Sequence, residues 1–179
     1  GANTILAGGS VEFSIRSPQA LYLATNITTT GGLTKSGIGT ATFATAKTYT
    51  GLTAINAGTL LYGIDNAINT GNVTVHDATL DMATYNDTVG AVVAQGGTIT
   101  GTSGVLTATS YSFRASTISA IIGGSGTTTI ANTGERVDAV TTLSRENTYT
   151  GSTAVSSGVL KLGAAGTSPN TPLGTTGTG

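Results

Sequence analysis

The 179-residue chain contains no cysteine and no tryptophan, one histidine, one methionine and three prolines. Without cysteine it has neither disulfide staples nor thiolate metal sites, so stability must come from strand ladders and apolar stacking. Charged residues make up 8% of the sequence, against about 25% in typical globular proteins. The seven lysines and arginines are scattered and the formal net charge is -1. That leaves no basic patch for a phosphate backbone, and nucleic acid is not an expected partner. No run of about 18 apolar residues occurs, so no transmembrane helix is expected. The chain opens on Gly1, which cannot initiate translation, and reads as a processed product or a piece of a longer protein.

What is abundant is glycine, at 27 positions, and threonine, at roughly one residue in five. Threonine packs well on a pleated surface and loses rotamer freedom in a helix, so this composition favours strands. No stretch carries strong helix formers at helical spacing. Short alternating runs appear instead, such as SVEFSI from Ser10, GTATF from Gly39, LTAIN from Leu52 and NVTVHDATLDM from Asn72. Their breaks come every five to nine residues, are rich in glycine and include no Asn-Gly or Asp-Gly hairpin pair. That cadence suits a parallel β-solenoid better than a sandwich. Coils of about 20–25 residues would give about seven to nine coils and a rod of roughly 35–45 Å.

TYTGLTAINAGTLLYG (Thr48 to Gly63) recurs as TYTGSTAVSSGVLKLG (Thr148 to Gly163), in register and 100 residues later. The offset measures a super-repeat of four to five coils. The kept positions are Tyr49, Gly51, Gly58, Leu60 and Gly63, with Tyr149, Gly151, Gly158, Leu160 and Gly163. They read as structural hardware: tyrosines packing with the hydroxyl on a partner, glycines where φ is positive or a backbone comes close, and leucines in the core. The drifting letters between them are expected to face water. Beyond the second copy, Leu173 aligns with Ile68. Residues 164–179, rich in Thr, Gly and Pro, read as the start of a further coil or a linker within one solenoid segment, 1–179.

No catalytic, cofactor or metal residue is expected. His76 would need a nucleophile and an orienting acid; in a strand, His76 and Asp77 point to opposite faces, and no G-x-S-x-G elbow exists. Among the carboxylates Glu12, Asp65, Asp77, Asp81, Asp87, Glu135, Asp138 and Glu146, the pair Asp65 and Asp87 could stack one coil apart, where a cation would be needed to join them. GGSGTTTIA (Gly123 to Ala131) nearly spells a calcium-solenoid turn, but Thr128 replaces the ligand aspartate, so a plain glycine corner is expected. Sequons at Asn26, Asn72 and Asn86 are what chance gives in a threonine-rich chain.

The GGLTKSG lead-in from Gly31, NTYTG from Asn147 and the GTL and GVL cores resemble the passenger-associated, autotransporter-associated β-strand repeat of bacterial surface proteins. The resemblance extends from about Gly31 to Leu173; the second lead-in departs from it at ERVDA (Glu135 to Ala139), where a bulged loop is expected. It implies a right-handed β-solenoid, exported by type V secretion to the bacterial surface or beyond, whose role is display rather than catalysis. The partners it implies are further solenoid repeats of a parent chain and a host or cell-surface glycan or protein. The alternatives are a fibre subunit associating end to end through open solenoid ends and, less favoured, a polysaccharide-acting enzyme.

Overall fold

The structure, a computed structural model, describes residues 4–7, 9–16, 19–131, 139–166 and 169–175. Among these every regular element is a strand. Glu135 to Asp138 of the expected bulged loop lie outside the described residues.

Apart from the short antiparallel pair Asn170–Thr171 with Gly174–Thr175, the strands pair in parallel with those of the adjacent coils, into a β-solenoid of about 8 turns. The first face begins with Val11–Ser14 and continues through Leu33–Ser36, Thr53–Ile55 and Val73–His76. It then runs through the second half of Asp87–Gln95 and the end of Thr98–Arg114 to Thr128–Ala131 and Thr153–Ser157. The second face begins with Ala20–Leu23, Thr40–Phe43, Thr59–Tyr62 and Thr79–Asp81. The start of Thr98–Arg114, Thr117–Gly123, Val140–Leu143 and Val159–Leu162 complete it. A shorter third side carries Asn26–Thr29 and the segments stacked above it.

Leu33, Thr53, Val73, Val92, Tyr111, Thr128 and Thr153 form one column of the first face, each one coil above the last. The coils differ in length, the step from Tyr111 to Thr128 being the shortest and that from Thr128 to Thr153 the longest. Thr53 and Thr153 stand five coils apart in this column, so the offset between the two sequence copies is a five-coil super-repeat.

Alternation along each strand sends every second side chain inward. Ile55, Val75, Ala94, Phe113 and Ile130 form one interior column of the first face, and Leu60, Leu80, Ile99, Ile118 and Leu143 form one of the second; all are buried. Each coil thus covers the apolar side chains of the coil below. Among the described residues no strand stacks on the inward positions Val155 and Leu162 of the coil Thr153–Leu162, which are 51% and 45% exposed.

Candidate functional site

The repeated positions gather at the corner where the third side turns into the first face. Tyr49 and Tyr149 both point into the core, 2% and 0% exposed. Each hydroxyl meets the threonine four residues on, Tyr49 with Thr53 and Tyr149 with Thr153, the latter at 2.7 Å. A buried phenol needs such a partner. Burial raises both tyrosines above their usual pKa range.

Gly51 lies against the coil below: a Cβ there would stand 2.6 Å from the Gly31 carbonyl carbon, and one on Gly151 would overlap the Gly126 carbonyl oxygen. Gly58 and Gly158 turn into the second face with φ of 63° and 76°. Gly63 and Gly163 follow that face, their amides donating to Phe43 O at 2.9 Å and Leu143 O at 2.8 Å. Leu60 is fully buried over Ala41, and Leu160 half-buried over Thr141. Counted through the intervening coils, however, the Leu60 column continues to Leu143 and Leu162, so on the second face the second repeat sits two residues out of step with the first, although Thr53 and Thr153 share a column on the first face. The letters expected to face water do so only in part. Ile55 and Tyr62, which become Val155 and Leu162 in the second copy, are fully buried, because strand alternation turns both inward.

Two buried lysines were not legible as such. Lys35, fully buried, sits in the interior column below Ile55 and donates from Nζ to Ser36 O (3.0 Å), Gly37 O (2.6 Å) and Ala57 O (2.9 Å). Lys47, two residues before Tyr49, donates to Leu23 O (3.2 Å), Thr45 O and Thr45 Oγ1 (2.8 Å), with Nζ 4.8 Å above the Phe43 ring. Burial lowers both, Lys47 to about 8. The second repeat has Asn147 at the place of Lys47. Its Nδ2 donates to Arg145 O (3.2 Å) and Pro172 O (2.7 Å), and its Oδ1 accepts from Ile122 N (2.9 Å). Both side chains reach the carbonyl two residues before them, a donor task that lysine and asparagine share. The pair AKTYTG and ENTYTG was the available signal.

Among the described residues, Asp65, Asp87, Asp81 and Glu12 are each held by their own donors. Asp65 does not stack with Asp87: it accepts from Asn86 N at 2.7 Å, one residue short. Asp87 is 2% exposed and accepts from Ile68 N (3.3 Å) and Thr88 N (2.8 Å). The buried Tyr62 hydroxyl faces it without a hydrogen bond of good geometry. Burial raises Asp87 to about 6, against the opposing pull of Tyr62 and the two amides. Asp81 accepts from Ala83 N, and Glu12 from Ser36 Oγ. Among the described residues no three His, Asp or Glu side chains come together to hold a metal.

His76 and Asp77 do not point apart as expected. The strand ends at His76, Asp77 takes φ of 48°, and Nδ1 and Oδ2 are 3.5 Å apart on the surface. His76 also lines a recess of about 250 Å³ with Asn56, Thr74 and Gln95. A larger one of about 370 Å³ lies at Ser144, Arg145, Glu146 and Asn170. Thr128 faces the core, fully buried, because the strand begins there after the glycine corner. The sequon asparagines tie coils together: Oδ1 of Asn26, Asn72 and Asn86 accepts from Thr48, Ala91 and Val105 N.

The geometry thus holds two equivalent corners, five coils apart, built from the same tyrosine, threonine and glycines. Residues 33–61 and 139–162 match the passenger-associated-transport-repeat family. The two repeats cover the two tyrosine corners and the first- and second-face strands around them. No curated protein and no solved structure matches the chain. The final segment packs on the second repeat: Asn147 N donates to Thr171 O, as Lys47 N does to Ala67 O. Buried Pro172 therefore takes the place of Ile68, not exposed Leu173 as the alignment had it.

Proposed function

We infer that the chain is a non-catalytic structural segment of a bacterial passenger, a stalk that supports type V export and display at the cell surface. The observation that carries this reading is the pair of repeats occupying equivalent corners five coils apart, with their shared tyrosines turned inward. Residues used for packing do not meet a substrate. Glu12, Asp65, Asp81 and Asp87, each held by its own amide or hydroxyl donors, further support a scaffold over an acid–base enzyme, which needs two carboxyl groups flanking one bond.

The test is surface display. The chain, carrying an N-terminal epitope tag, is fused ahead of an autotransporter translocator and compared by flow cytometry with a flexible linker of equal length. The stalk reading expects stronger tag signal on intact cells with the solenoid, and weaker signal when Tyr49 and Tyr149 are both changed to alanine. Equal signal from all three fusions would contradict it.

A fibre subunit is the second reading, favoured by the exposed apolar side chains Val155, Val159 and Leu162. Sedimentation decides it: mass rising with concentration, and held to one chain by Val155→Lys, supports end-to-end stacking. A single species throughout the range opposes it.

A further inference from the structure

Six threonines stand in one file on the outer side of the second face. The register pairs Thr40 with Thr59, Thr59 with Thr79, Thr79 with Thr98, Thr98 with Thr117, and Thr117 with Thr142. Neighbours are one strand apart, about 4.8 Å. Two residues along, at about 6.6 Å, runs a partner file of Thr42, Leu61, Asp81, Thr100 and Ser119. Composition alone does not make such a file. The matching position of the first face reads Thr34, Ala54, Thr74, Val93, Ser112, Thr129 and Ala154.

Stacked threonines stabilise a sheet when their hydroxyls bond to one another. Elsewhere in this molecule hydroxyls do so, as in Thr28 with Thr48 at 2.9 Å and Ser119 with Thr100 at 3.0 Å. None of the six hydroxyls in the file has a hydrogen-bond partner among the described residues. They alternate with the buried Ala41, Leu60, Leu80, Ile99, Ile118 and Leu143, so each sits outward beside its methyl group.

The chemistry of the file narrows its partner. A small ligand needs a recess with convergent polar groups, and neither recess described above is lined by any of the six. A phosphate-bearing partner needs clustered cations, and the two files carry a single one, Lys161, one strand beyond Thr142 at the end of the threonine file. A glycan chain favours aromatic platforms and charged or amide forks, and this face offers one exposed tyrosine, Tyr22, and one carboxylate, Asp81. What remains is a neutral partner that is itself periodic. Water rows on the surface of hexagonal ice recur at nearly the inter-strand distance, and a rigid array of hydroxyls holds bridging waters at little further entropic cost. The methyl groups between them confine that water to ordered positions. We propose that the second face binds ice crystals, with the Thr40 to Thr142 file as its line of contact.

Ice recrystallisation in a frozen sucrose film, with the purified 179-residue chain added, tests this. The chain slows crystal coarsening relative to albumin at equal mass. Thr79→Lys with Thr98→Lys raises the concentration needed by about tenfold or more, the loss of about 1.4 kcal/mol of binding. Thr34→Lys with Thr74→Lys, on the first face, leaves it unchanged. Thr79→Ser with Thr98→Ser keeps the hydroxyls in a variant that disturbs the fold least, and weakens the effect by less than the lysine pair. Circular dichroism confirms that each protein is folded. Crystals coarsening at the albumin rate with folded wild-type chain would overturn the proposal, as would equal losses from the two lysine pairs. Retention on crystalline cellulose without any effect on ice would overturn it too, and assign the face to a glycan lattice.

Discussion

The two repeats carry one motif in two settings. In the first, Ile55 is fully buried between Lys35 below and Val75 above. In the second, Val155 lies over Ile130 with no strand above it among the described residues and is 51% exposed. The tyrosine corner hardly changes between them, since both phenols are buried and bonded to the threonine four residues on. The motif therefore specifies how the chain turns, while the energy of the strand that follows depends on the coil stacked over it. In a solenoid the neighbouring coils supply most of each coil's stability.

The largest expected contrast follows from that difference. Ile55→Ala removes buried volume with no room to collapse and should cost about 2–5 kcal/mol, whereas Val155→Ala, at an exposed site, should stay within about 0.5 kcal/mol. Urea unfolding of the two variants measures both. Similar costs would break the comparison.

Asp87 belongs to the coil stacked on the first repeat, and it gives the chain a pH dependence. Its folded pKa of about 6 lies above the ordinary 3.8, so the folded state holds this proton more tightly than the unfolded one. Its contribution is complete below about pH 4 and is lost as pH rises through about 6. The loss is about 3 kcal/mol at most. Unfolding free energies at pH 4 and pH 7 should show this decline, and Asp87→Asn should flatten it. An unchanged slope in the variant would place the titration elsewhere.

Removing the phenol hydroxyl sharpens the comparison at the corner itself. Tyr49→Phe leaves Thr53 Oγ1 fully buried with only a long contact to Asn69 Oδ1 at 3.5 Å, and should cost about 1–3 kcal/mol. Tyr149→Phe leaves a half-buried Thr153 that water can reach, and should cost less than about 1 kcal/mol. Thermal or urea unfolding of the pair reads the difference.

The solenoid was legible because its cause is local. Short alternating runs, glycine breaks and a long-range recurrence all report a chain that turns every few residues. The five-coil count needed the strand register, because a short coil from Tyr111 to Thr128 is followed by a long one to Thr153 while the motif recurs only once. Glycine at 51 and 151 was readable as a close approach, since only the missing Cβ admits the coil below. Lys35 and Lys47 were not readable, because a lysine in a charge-poor chain looks solvated until carbonyls surround its nitrogen. His76 and Asp77 misled for the opposite reason. Strand alternation was carried one residue too far, into a left-handed turn. The threonine file was invisible in the sequence, because its members lie a whole coil apart along the chain and share a face only through the register.

Native-state hydrogen exchange tests the central claim most directly, that stacking rather than the motif sets local stability. The amides of Thr53–Ile55 and Thr59–Tyr62 should exchange only through near-global unfolding, and those of Thr153–Ser157 and Val159–Leu162 through local fraying, orders of magnitude faster. Equal protection of the two repeats would contradict the account.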